Sequence, residues 1–417
     1  MKFQIFRIFL ILFIFAGLII PQSSNKNDDS FKEKLVVFET QIIPADSAYY
    51  NLYLSFKISY DKLIFEKNGR RYSSDILIIF DVVNSETKEI SRQSFSQIAW
   101  ADNFEITESR DNYLQGVVNF LLQEGKYVIK SSIDVQNKRL IPPESEISVS
   151  DNSEYFLKPF VVDYYDSLNN VLILRNENSI PFSKDKFSLI IPKTKNLPDT
   201  VTITISQKDK QVIKSVCKVR YLSNLLIFDD NNKIKTKLED NGKFGLFFIA
   251  DGLEKLDEGF VKIEISVNEK ILKIFNDFVE WENKPQSLKD TDFAIKILAK
   301  IQGKEEIDKL KENFSGKELL YQYWKKFDPD TATKFNEIME LFYQRVDKAA
   351  KEFSTIDERN GALSDRGMIF IKYGQADSIQ RSFTKDNFAL EYWIYEKPSK
   401  KFIFVDKSGL GKFELVL

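Results

Sequence analysis

The sequence predicts two tandem β-sandwich, immunoglobulin-like domains followed by an α+β domain of helices packed on an antiparallel sheet. Three observations carry that prediction. Up to about residue 283, short runs of Val, Ile, Phe and Tyr recur between turn residues, the spacing of sandwich strands. From residue 287 the apolar positions shift to intervals of three and four, the period of amphipathic helices. From Met368 the short β-like runs return. A length of 417 residues suits two or three domains, and 43% hydrophobic residues with 36 Phe supply their cores.

Residues 1–24 read as a secretory signal peptide or an uncleaved N-terminal anchor. Lys2 and Arg7 precede an uninterrupted apolar run from Ile8 to Ile20, suited to a signal core and short for a membrane span. No cysteine follows it, which excludes a bacterial lipoprotein anchor. The expected place of the protein is therefore the periplasm or cell envelope of a bacterium, with membrane contact only through this segment if it is retained.

The first sandwich spans 31–150, with strands in "KLVVFETQII", "YYNLYLSFKISYDKLIFE", "DILIIFDVVN" and "GKYVIKSSIDVQ"; Pro142 and Pro143 close it. The second spans 155–283, with strands in "NVLILRN", "TVTITISQ", "VIKSVCKVRYL", "GKFGLFFIA" and "GFVKIEISVN". In the third domain, 287–417, one helix carries Phe293, Ile297, Leu298 and Ile301, and the pattern runs on through Ile307 and Leu310. Another carries Leu319 to Phe327 and is stopped by Pro329, because the residue before proline is pushed out of helical geometry. The strongest helix places Phe335, Ile338, Met339, Phe342, Val346, Ala349 and Phe353 on one stripe. "MIFIKY", "NFALEYWIYE", "KFIFVD" and "KFELVL" then read as four strands, with "DKSGLGK" as a tight hairpin.

Composition excludes several function classes. Sixty Lys plus Arg against 62 Asp plus Glu leave a net charge of -2, so no field steers the chain to nucleic acid. Histidine is absent, which removes Ser-His-Asp triads, Cys-His dyads and histidine metal sites together. The lone Cys217 lies in an alternating strand-like segment and reads as a buried structural thiol. No motif calls for a cofactor or a metal.

The C-terminal third carries Trp324, Asp328 and Pro329, then Asn336, Glu337, Arg345, Val346 and Phe353, and then Asp365, Arg366, Gly367, Tyr373, Gly374 and Asp377. In these residues, over about 290–417, it resembles the GWxTD domain, an uncharacterised module of exported bacterial proteins. The naming stretch is degraded to Gly361, Ala362, Leu363, Ser364 and Asp365, so an alanine stands where the family has its tryptophan. The resemblance implies architecture and compartment, and no activity.

Asp365 and Asp377 flank the "MIFIKY" strand in this reading and are the candidate carboxylate pair, as glycoside chemistry would need. The competing reading makes Ser364 or Asp365 a hydrogen-bond acceptor for turn amides, with Gly361 and Gly367 easing the backbone and Arg366 paired to an acid. The turn is the favoured reading. The function expected is that of an exported, non-enzymatic envelope protein acting through a protein partner; the alternative is a carboxylate-dependent hydrolase or glycan-binding protein centred on Asp365.

Overall fold

A computed structural model of the protein describes residues 36–46, 48–136, 138–150, 156–356 and 358–416. The signal or anchor segment expected at residues 1–24 lies outside the described residues. Among the described residues, no helix is long and apolar enough to cross a membrane.

Five sheets and a helical layer make the fold. Sheet I has three strands, Val37–Pro44, Tyr50–Ser59 and Tyr113–Leu122, in that order. Sheet II is built around the 14-residue strand Arg71–Asn84, paired with Ile90–Ala101 on one edge and Gly125–Val135 on the other. Leu52, Leu54, Phe56 and Ile58 of sheet I meet Ile76, Ile78, Phe80 and Val82 of sheet II, forming the first sandwich core. Sheets III and IV, of seven and five strands, form the second. There Val161, Leu189, Ile191 and Phe247 pack on Val201, Ile203, Ile205 and Ile263.

The two expected sandwiches are present, and their relation differs from domains placed in series. Residues of sheet I whose side chains point away from its own core, Ile43 and Tyr53, are buried against Phe160, Val162, Leu172, Ile190 and Leu246 of sheet III. The sheets thus stack as II, I, III, IV, with an additional apolar layer between the sandwiches. Alternation explains it: strand Tyr50–Ser59 is buried on both faces, and strand Val171–Leu174 is buried at all four positions.

The third domain begins where Phe182, Trp281 and Phe335 cluster, with ring centroids 4.9–5.6 Å apart. Such aromatic pairs add about 0.5–1.5 kcal/mol each beyond their area burial. Helices α1 (Thr291–Gln302), α2 (Lys304–Lys311), α3 (Gly316–Trp324) and α4 (Glu337–Glu352) follow. Their faces bury Ile297, Leu298, Ile307, Tyr323, Tyr343 and Val346. Asp290 and Asn336 cap α1 and α4 by accepting from Phe293 N and Met339 N.

One expected strand is corrected. "MIFIKY" lies in helix α5 (Asp365–Tyr373), capped by Ser364 and ended at Gly374, whose φ is 82°. Six residues are too few to separate a strand from a buried helical turn by period, and the caps decide. Sheet V then orders Ser378–Phe383, Ala389–Tyr395, Lys400–Asp406 and Glu414–Leu415 antiparallel. In the hairpin "DKSGLGK", Asp406 accepts from the backbone amides of Ser408, Gly409 and Gly411 at 2.7–3.0 Å. Cys217 is buried, as its strand setting implies.

Candidate functional site

The stretch Gly361 to Asp365 forms a single 3-10 turn leading into α5. Asn360 accepts from Ala362 N at 3.1 Å. The Ser364 hydroxyl donates to Gly361 O at 2.7 Å and accepts from Gly367 N at 3.1 Å. The glycines are there for space: a Cβ on Gly361 would lie 2.4 Å from Ala349 O, and one on Gly367 2.0 Å from Gly361 O. Ala362 is fully buried in the helical core.

Asp365 and Asp377 do not converge. Asp365 is the first residue of α5 and Asp377 follows its last, just before sheet V, and each holds a different backbone amide. Asp365 Oδ2 accepts from Leu415 N at 2.8 Å, tying the turn to the C-terminal strand, and Asp377 Oδ2 accepts from Glu396 N at 2.7 Å. Between the turn and residues 411–415 lies a cavity of about 390 Å³, lined by Ser364, Asp365, Arg366 and Phe413.

Arg366 fastens the same region. Its guanidinium reaches Glu391 Oε2 at 3.3 Å and Gly411 O at 3.0 Å, and lies 4.2 Å over the Phe413 ring. Glu391, nearly buried, also accepts from Arg381 and from Trp393 Nε1, both at 3.2 Å. Several of the remaining positions of the resemblance are also bonded, while Trp324 Nε1 and Glu337 Oε2 are buried without a hydrogen-bond partner. Asn336 Nδ2 donates to Trp324 O at 3.0 Å, Asp328 accepts from Asp330 N at 3.1 Å, and Arg345 Nη1 donates to Ile371 O at 3.4 Å. Tyr373 stacks near Tyr395 and Phe402, while the Tyr395 hydroxyl donates to Gly374 O at 2.9 Å. Glu337 opens the first turn of α4, where its charge favours the helix dipole.

A second polar cluster, absent from the sequence reading, sits where the three domains meet. Lys57 Nζ, on sheet I, is 3.1 Å from Glu177 Oε1 and 2.9 Å from Glu282 Oε2, and 4.0 Å above the Tyr113 ring. Arg175 Nε adds a contact to Glu177 at 3.0 Å. Asn176, held at φ 50°, donates to Phe56 O at 2.8 Å. Gln115 donates two further bonds of 2.8 Å to Asn232 between the sandwiches, from N to Oδ1 and from Nε2 to O. Lys57, Gln115, Arg175, Glu177, Asn232 and Glu282 line a cavity of about 790 Å³ whose far wall carries Trp281, Phe335, Glu340 and Gln344 of the junction with the helices.

Charge in this cluster is unevenly held. Burial raises the Glu177 carboxyl, but Lys57 and Arg175 outweigh it and hold it below its usual range. Burial and the neighbouring Glu177 charge push Glu282 well up. Of the two carboxyls, Glu282 is the more readily protonated. Burial would lower Lys57, yet the facing Glu177 and Glu282 keep it raised and charged. Lys57 clamps together segments that lie 120 and 225 positions away from it.

Comparison with known proteins agrees with the family resemblance of the C-terminal third. Residues 271–416 match the family profile described as the GWxTD domain, starting inside the last strand of the second sandwich, Lys270–Glu280. No curated protein matches the chain. Among solved structures, the C-terminal domain of the Streptococcus pyogenes antigen I/II-family protein AspA matches at 10% identity, covering 59% of this chain and 99% of that one. Its TM-score of 0.17 is too low to carry any argument.

Proposed function

We propose that this chain, whose C-terminal third carries a GWxTD domain, is an exported, non-enzymatic protein of a bacterial cell envelope that acts by protein–protein contact. Export is supported by Lys2, Arg7 and the apolar run Ile8 to Ile20. The observation that carries the contact reading is the outward face of sheet IV. Phe260 is 80% exposed there and meets Phe278 edge to face at 5.1 Å. Ile274, Ile271 and Val216 continue the same face and are exposed. Clustered exposed aromatic and aliphatic side chains on a rigid sheet are the anchors from which protein interfaces are built.

The test is crosslinking and pull-down from the envelope fraction, comparing the native chain with F260S/F278S after equal export and stability are verified. A defined complex that disappears in the double variant supports the proposal. An undiminished complex moves the interface elsewhere, and glycan fragments recovered in place of protein would favour a carboxylate or glycan-binding activity instead. Asp365→Ala belongs in the same experiment, because Asp365 spends its carboxylate on Leu415 N and the contact reading expects the complex to survive its loss.

A further inference from the structure

A groove on the helical layer, remote from the sheet IV face and independent of the partner reading, has the chemistry of a ligand site. It lies between α1, the turn after α2 and the start of α3, with a volume of about 640 Å³. That falls within the range that holds a small molecule. Its floor is apolar: Ile295, Ala299, Phe314 and Leu319 continue the domain core up to the surface.

Its rim is cationic. Lys296, Lys300, Lys304 and Lys311 line it against a single acid, Asp292. Lys296 and Lys300 are one helical turn apart on α1, so both ammonium groups extend over one face. Lys300 donates to Leu363 O at 3.1 Å and Lys311 pairs with Asp308 at 3.2 Å, both through exposed contacts that water competes with. Ser315 adds an uncompleted element. It occupies the N-cap position of α3 and lines the groove, yet its side chain accepts no bond from the first-turn amides.

Four cations around an apolar trough match neither a purely apolar ligand nor a simple ion. A tail without a charged head would leave the lysines unused, and an ion alone would leave the floor wet. We propose that the groove binds one molecule of a single-chain anionic amphiphile of the long-chain fatty acid class, with its hydrocarbon along Ile295, Ala299, Phe314 and Leu319 and its carboxylate among the lysines. Charge-assisted bonds to ammonium groups orient the head, and burial of the tail supplies the contact area.

The experiment titrates the full chain with a fluorescent long-chain fatty acid, a neutral alcohol of the same chain length, and vesicles of phosphatidylglycerol. The expected result is saturable fatty-acid binding that the alcohol does not match. K296E/K304E should weaken it about tenfold or more, as expected when two charge-assisted contacts are lost. Both lysines are exposed, so the fold should keep its unfolding midpoint. Ala299→Phe, which fills the trough, should weaken binding while leaving the lysines in place. Absence of saturable binding, equal affinity for the alcohol, or binding unchanged in K296E/K304E would overturn the proposal. Binding to vesicles without binding to the monomeric acid would also overturn it, by making the patch a membrane-facing surface.

Discussion

Glu39 is the residue whose replacement tests most sharply how the sandwiches are joined. It lies on strand Val37–Pro44, on the face of sheet I that packs toward the second sandwich, and is only 8% exposed. Its side-chain company is sparse: Gln41 Nε2 donates to it at 3.3 Å. Burial pushes its carboxyl from 4.5 up to about 7, with Lys158 and Gln41 opposing and Asp277 and Glu177 adding to the rise. Between those values the folded state holds a proton that the unfolded chain has released, so this group's contribution to stability falls as pH rises and levels off above about 7. At about 1.4 kcal/mol per pH unit, the cost of ionising Glu39 is about 3 kcal/mol at pH 8 and under about 1 kcal/mol at pH 5. Glu39→Gln keeps the shape and removes the charge. It should therefore raise stability at pH 8 by an amount of that order and change it little at pH 5, read from urea midpoints at both pH values. A gain equal at both pH values would show that ionisation is not the cause. A loss at both would show that the carboxylate is paired in a way that contradicts its burial against sheet III.

Three further outcomes follow from the same geometry. Lys57→Met leaves the buried Glu177 with Arg175 as its remaining cation and takes the cation from the more exposed Glu282, and should cost roughly 3 kcal/mol, more at pH 8 than at pH 5; Glu282→Gln in that background should restore part of it, measured by urea unfolding. Gly367→Ala places a methyl against Gly361 O and should cost roughly 3 kcal/mol, whereas Ser364→Ala, which loses only the cap, should cost about 1 kcal/mol. Arg366→Ala removes one of the three partners of Glu391, which keeps Arg381 and Trp393 Nε1, and the side-chain donor to Gly411 O, at roughly 2 kcal/mol, and should expose the chain beyond Asp406 to protease before the sandwiches unfold; protection equal to that of the native chain would contradict the fastening role given to it.

The helices of the third domain were legible because their stripes are long: Phe342, Val346 and Ala349 fall on one face of α4 whatever surrounds it. The strand misread as "MIFIKY" shows where that signal ends. Over six residues apolar content does not distinguish a strand from two helical turns, yet Ser364 before it and Gly374 after it are a helix cap and a helix stop, so the deciding information lay at the ends. Strand Ser378–Phe383 escaped notice for the opposite reason: it is exposed at every position, so no buried face wrote a pattern into it.

The site follows a different rule from the fold. The turn at Gly361 to Asp365 was readable as structure because the partners of its cap are local: Ser364 bonds residues three positions away on either side, while the tie from Asp365 to Leu415 N, 50 positions on, was not readable. The Lys57 cluster was not, since its members are scattered over 225 positions and each looks ordinary in its own segment. Lys57 was nevertheless placed by alternation, on the same face of strand Tyr50–Ser59 as Tyr53 and Ser55, a face that a lone sandwich would turn to water. A lysine only 8% exposed on that face requires a covering domain and an acid within it. Sheet III supplies the cover and Glu177 the acid, so a buried charge on the second face of a strand is the local sign that two sandwiches are fused through that face.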